Sequence, residues 1–156
     1  MREIIILAEV INNTLKESTA EVISAATSLG ESLTVIVPGT SPESAASIAA
    51  TYEGIERVIA LQDDCFANFD SAAWCESISS IAPEGHLLTT SSSIGKELAA
   101  RLAISRNSTI IQDVIKIEGN NVTHPIYSGK AHQTVALNGP SAVSYTHLTL
   151  PTKRIV

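Results

Sequence analysis

The chain has 156 residues, of which 44% are apolar and 17% charged, a balance that excludes a disordered chain and suits one domain with a real core. Only 4% are aromatic, so that core must be assembled from Ile, Leu, Val and Ala, the mix of layered strands and helices. The formal net charge of −6, with no Lys/Arg cluster, argues against nucleic acid as a partner.

Strand and helix signals alternate from the amino terminus. Residues 3–8 form a continuous run rich in isoleucine, the mark of a strand buried on both faces. Ser18 reads as an N-cap, Val22, Ile23, Ala25, Ala26 and Leu29 recur at helical spacing over 20–29, and Gly30 supplies the stop. A second buried strand, 33–37, closes at Pro38-Gly39. Ser41 then caps a helix with Pro42 at its first position, where the missing N–H costs nothing. A third strand is expected at 57–61, followed by a helix capped by Asp70 and ended by Pro83. A fourth strand covers 86–89, with a helix starting at Ser93 and running through 94–104. The fifth strand spans 109–117. Two further strands, 122–127 and 131–137, have no helix between them, and Ser128-Gly129-Lys130 is their turn. The fold class expected is α/β: a mainly parallel, Rossmann-like three-layer sheet with helices on both faces, ending in an antiparallel strand pair.

The amino-terminal apolar run is too short for a signal peptide or membrane span, so neither secretion nor membrane insertion is expected. The compartment expected is the bacterial cytoplasm, or the mitochondrial matrix if a targeting segment was lost. Cys65 and Cys75 fit a reducing environment.

Val143-Ser144-Tyr145-Thr146-His147-Leu148-Thr149-Leu150-Pro151-Thr152 reads as translated sequencing adapter, in the frame GTC TCT TAT ACA CAT CTG ACG CTG CCG ACG. On this reading residues 1–142 are the genuine domain and 143–156 a non-native tail that packs against nothing.

The search for chemistry is mostly negative. The first strand–helix loop, from Glu9 to Glu17, has no glycine, so its amides are not expected to close on a pyrophosphate. The loop after the fourth strand offers weak cofactor-binding candidates in Ser93, Gly95 and Lys96, because strand ends and helix N-termini favour anions. Its first P-loop glycine is missing, and Glu97 stands where Ser or Thr should hold magnesium, so a Ser-rich cap is the preferred reading. His86, His124 and His132 show no metal-binding spacing, and no G-x-S-x-G elbow exists. Neither a catalytic residue nor a metal ligand is expected. Asp113, a carboxylate inside an apolar strand, needs a partner and is read as a structural hydrogen bond or a domain contact.

An ordered set of segments resembles the amino-terminal domain of the electron transfer flavoprotein alpha subunit. It comprises Leu7-Ala8-Glu9, Thr14-Leu15-Lys16, Ser18-Thr19, Leu29-Gly30, Gly95-Lys96-Glu97-Leu98, Ala100-Arg101-Leu102 and Asp113-Val114. It closes with His124-Pro125-Ile126-Tyr127-Ser128-Gly129-Lys130-Ala131, similar to the family's R-P-I-Y-A-G-N-A segment. His124, Ser128 and Lys130 depart from that segment, and Ile94 replaces a customary Phe. The resemblance implies an electron carrier without catalytic residues of its own, paired as a heterodimer with a beta subunit. FAD would be held by a carboxyl-terminal domain absent from this chain, and AMP by the beta subunit. Electrons would come from acyl-CoA and other dehydrogenases and leave to a quinone oxidoreductase. His124, Tyr127, Gly129 and Asp113 become candidates for partner or domain contact. The competing expectation is a stand-alone nucleotide-binding domain of the universal-stress or ATP-pyrophosphatase type.

Overall fold

A computed structural model describes residues 3–27 and 32–146. The elements in chain order are β1 (Glu3–Leu7), β2 (Val10–Ile11), β3 (Thr14–Leu15), α1 (Glu17–Thr27), β4 (Leu33–Gly39), α2 (Glu43–Ala49) and β5 (Ile55–Gln62). A 3-10 turn (Asp64–Ala67), α3 (Ser71–Ile81), β6 (Gly85–Thr90), α4 (Ser93–Ser105), β7 (Thr109–Val114) and β8 (Lys116–Glu118) come next. The described part closes with β9 (Asn121–Ile126), β10 (Ala131–Ala136) and β11 (Ser141–Tyr145).

The central sheet has the order β5-β4-β1-β6-β11-β7, and all its pairings are parallel. Its two faces carry two separate cores. Ile4 and Ile6 of β1 pack with Val22, Ile23 and Ala26 of α1 and Ala45 and Ala49 of α2. Ile5 and Leu7 turn to the other face, against Ile78 of α3 and Leu98, Ala99 and Leu102 of α4. This alternation within an uninterrupted apolar run is what a strand covered on both sides requires. The α/β three-layer expectation therefore holds. A separate antiparallel sheet, β10-β9-β8, joins the α1 and α2 face through Ile117 and Val122.

Local signals set several boundaries. The Asp70 side chain accepts hydrogen bonds from the N–H groups of Ala72 and Ala73 at 3.1 and 3.3 Å, which fixes the start of α3. Pro42 sits at the entry to α2, already helical at φ −82°, and its carbonyl accepts from Ala46 N at 2.8 Å.

Four sequence expectations need correction. Ser18 is not an N-cap: α1 begins at Glu17, and Thr19 N–H donates to the Lys16 carbonyl. The cause is the β2–β3 hairpin, turned by Asn12 and Asn13 at φ +52° and +60°, which delivers the chain to the helix earlier. The expected stop at Gly30 lies outside the described residues. The strand expected over 109–117 is two strands, because Asp113 adopts φ +58° and turns the chain out of the central sheet. Ile115 N–H then donates to the Thr123 carbonyl, in the second sheet.

The antiparallel pair does not end the fold. β11 enters the central sheet between β6 and β7, parallel to both. Val143 is 1% exposed and Ser144 fully buried, so the expectation that residues from 143 onward pack against nothing fails for 143–146. The α4 crossover places β7 one strand position away from β6, and the intervening slot presents unpaired backbone groups on both flanks. A strand must fill it. Residues 147–156 lie outside the described residues.

Candidate functional site

Strand order reverses at β1. The chain runs outward through β4 and β5, then returns to β6 on the other side. In an open parallel sheet the crevice at the carboxyl ends of such neighbours is the place where ligands bind. A cleft of about 410 Å³ lies there, between the end of β1, the Pro38–Thr40 turn, Trp74 and the start of α4.

Glu9 dominates its chemistry. One oxygen of its carboxylate, Oε1, accepts hydrogen bonds from the hydroxyls of Thr90 and Ser92. The other, Oε2, lies 3.4 Å from Lys16 Nζ. The backbone of Glu9 is fixed as well: its N–H donates to Thr19 Oγ1 at 3.0 Å, and its carbonyl accepts from Lys16 N at 2.8 Å. Ser92 accepts from Gly95 N–H at 3.0 Å while donating to Glu9, so one hydroxyl caps α4 and ties β1 to it. Thr89 Oγ1 donates to the Gly95 carbonyl at 3.2 Å from below. A Cβ at Gly95 would stand 2.1 Å from the Thr90 carbonyl oxygen, so the glycine serves close approach of helix to strand end.

The structure divides the first group of sequence candidates. Ser93 and Gly95 line the cleft, but Gly95 N–H is already taken by Ser92. Lys96 turns to the end of β7, where its Nζ lies 2.9 Å from Asp113 Oδ2. Asp113 also donates its N–H to Ser144 Oγ at 2.8 Å, which anchors β7 to β11. The second group falls mainly on one hairpin. His124 Nε2 meets Gln133 Oε1 at 2.9 Å across β9 and β10. Tyr127, 77% exposed, and Gly129 form the tip at φ +51° and +83°.

Sequence reasoning missed Glu9, Thr90, Ser92 and Lys16 as a set. The signal available was a lone carboxylate directly after a buried strand, which needs donors there. Trp74 closes the apolar wall, its Nε1 donating to the carbonyls of Cys65 (2.8 Å) and Asn68 (3.1 Å), with Phe66 and Phe69 edge-on to its ring. Burial pushes the Cys65 thiol above its ordinary value, an unreactive setting. Among the described residues no group of three His, Cys, Asp or Glu is placed to hold a metal ion. No helix among them is long and apolar enough to cross a membrane.

Residues 4–150 match the model of the electron transfer flavoprotein domain. The chain is 34% identical over 144 residues to the mitochondrial electron transfer flavoprotein subunit alpha of Arabidopsis thaliana, covering 86% of this chain and 40% of that protein. It is 30% identical over 141 residues to subunit alpha of Syntrophomonas wolfei, covering 86% and 44%. With subunit alpha of Mycobacterium tuberculosis it shares 29% identity over 150 residues, covering 92% and 46%. The chain thus spans less than half the length of these curated relatives.

Proposed function

This chain belongs to the electron transfer flavoprotein family, and from that premise we propose that it is the scaffold and docking domain of an alpha subunit. The observation that carries the reading is a match running through the whole described fold, with relatives that are alpha subunits. On this reading the domain has no catalytic residue. FAD belongs to the portion of an alpha subunit that this chain does not span, and AMP to the beta subunit. The complete heterodimer would pass electrons from acyl-CoA and other dehydrogenases to a quinone oxidoreductase, in a bacterial cytoplasm or a mitochondrial matrix.

The docking surface proposed is the β9–β10 hairpin, with His124, Tyr127 and Gly129, together with Asp113 at the end of β7. An aromatic ring left 77% exposed at a tight turn is the kind of residue that anchors interfaces. Co-purification with a family beta subunit tests the proposal. A stable complex is expected, weakened by Tyr127→Ala, and failure to form one refutes the reading. Stoichiometric FAD or ATP bound to the chain alone would favour the stand-alone nucleotide-binding alternative, which the family match does not support.

The adapter origin of residues 143–156 is also proposed, carried by the codon match. It is compatible with β11, because strand pairing uses backbone groups that any sequence supplies. Sequencing the uninterrupted gene decides it: a native gene encoding the same residues there would refute it.

A further inference from the structure

We infer that Glu9 is a built-in anion of the switch-point cleft, and that its carboxylate bars phosphate-bearing ligands from the place where this fold would otherwise admit them. The inference rests on the cleft's geometry and not on the docking proposal, and each can fail without the other.

Two observations carry it. The cleft is a real concavity of about 410 Å³, with an apolar wall from Trp74, Phe66, Ile94 and Leu98. Such a wall suits a flat ring, so shape alone does not keep ligands out. The polar end, however, is already used. The two hydroxyls and the ammonium that face it, from Thr90, Ser92 and Lys16, are all directed at one carboxylate. These are the neutral and cationic donors that a phosphate would need. Here they come from three separate segments of the chain and converge on Glu9, whose own backbone is pinned at both N–H and carbonyl. The carboxylate has no freedom to swing away while its loop stays folded. An incoming phosphate would meet a fixed negative charge and donors already engaged, so like-charge repulsion adds to the loss of partners.

The test uses the full 156-residue chain, with Trp74, its single tryptophan and a lining residue of the cleft, as the fluorescent reporter. AMP, inorganic phosphate and adenosine are titrated into the parent chain, Glu9→Gln, Glu9→Ala and a charge control, Glu43→Gln, on α2. Isothermal calorimetry repeats each titration, because the tryptophan need not sense every ligand. Glu9→Gln keeps the side chain's shape and hydrogen-bonding capacity, so it decides the matter even where Glu9→Ala fails to fold. The expected result is a gain in AMP affinity of at least about tenfold for Glu9→Gln over the parent. Adenosine should change much less, and Glu43→Gln should stay at the parent's level. AMP affinity unchanged in folded Glu9→Gln overturns the inference. So does a parent chain that binds AMP as tightly as the variant, or an equal gain in Glu43→Gln.

Discussion

Replacing Gly95 by alanine puts two opposed effects on one atom. Alanine is the better helix former, by about 1 kcal/mol at an interior position. Without any tertiary constraint, Gly95→Ala in α4 would be neutral or stabilising. The packing says otherwise: the added methyl would sit 2.1 Å from the Thr90 carbonyl oxygen, 3.1 Å from its carbon and 3.1 Å from Ser92 Oγ. The nearest of these is backbone of β6, paired on both sides by β1 and β11, so it cannot retreat as a flexible side chain would. Relief requires moving the first turn of α4 outward. That movement lengthens the Gly95–Ser92 cap at 3.0 Å and the Thr89–Gly95 bond at 3.2 Å. Overpacking of this kind costs about 1–3 kcal/mol, and a lost cap about 1 kcal/mol more, so the net destabilisation expected is about 2–3 kcal/mol. For a chain of this size that lowers Tm by roughly 4–12 °C. Thermal unfolding followed by circular dichroism measures it, with Ala99→Gly, a buried change in the same helix, as the propensity control. A Gly95→Ala chain as stable as the parent would refute the close-approach argument.

Deleting residues 141–156 should abolish cooperative unfolding, because it removes β11 and reopens a slot inside the central sheet; unfolding curves of the truncated and full chains check this. Hydrogen exchange offers the companion measurement: the amides of Val143 and Ser144 should be among the protected ones, and free exchange there would remove β11 from the sheet. Asp70→Ala should cost about 1 kcal/mol through loss of the α3 cap, read from the urea midpoint at constant m. Tyr145 carries a pH prediction. Burial, and then the charge of Glu21, hold its phenol above the ordinary value of 10.0. The native state therefore keeps the proton more tightly than the unfolded chain, and stability falls as pH rises past about 10. Tyr145→Phe should flatten that alkaline decline and leave the neutral range nearly unchanged, as pH-dependent urea titrations would show.

What the sequence made legible was local. The uninterrupted run at Ile4, Ile5 and Ile6 specifies a strand covered on both faces whatever its partners are, and Asp70 marks a helix start through its own side chain. What stayed hidden depends on distant parts of the chain. The positive φ of Asp113 is tolerated because Ser144 accepts its N–H and Lys96 pairs with its carboxylate, partners 31 and 17 residues away. β11 is short, and its place is set by the vacancy between β6 and β7 rather than by its own pattern. At the cleft, the missing glycines were visible but their replacement was not. That Glu9 meets Thr90 and Ser92 is evident only once β1 and β6 are known to be neighbours.

The direction of β11 bears on how such a domain serves a larger subunit. A final strand antiparallel to the sheet would leave the chain at the amino edge, away from the cleft. β11 is parallel, so Tyr145 and Thr146 emerge at the carboxyl edge, beside Lys16, Thr90 and Ser92. Thr146 is tied there, its N–H donating to the Val114 carbonyl at 2.7 Å and its hydroxyl reaching Asp113 Oδ1 at 3.5 Å. In a longer alpha subunit, polypeptide beyond this strand would start within a few residues of the cleft rim, held by the middle of the sheet instead of a frayed terminus. An inter-domain linker rooted in a buried strand transmits the orientation of the sheet, whereas one leaving an edge strand or a surface helix would swing. The placement of β11 thus favours a scaffold that orients the next domain over one that only tethers it.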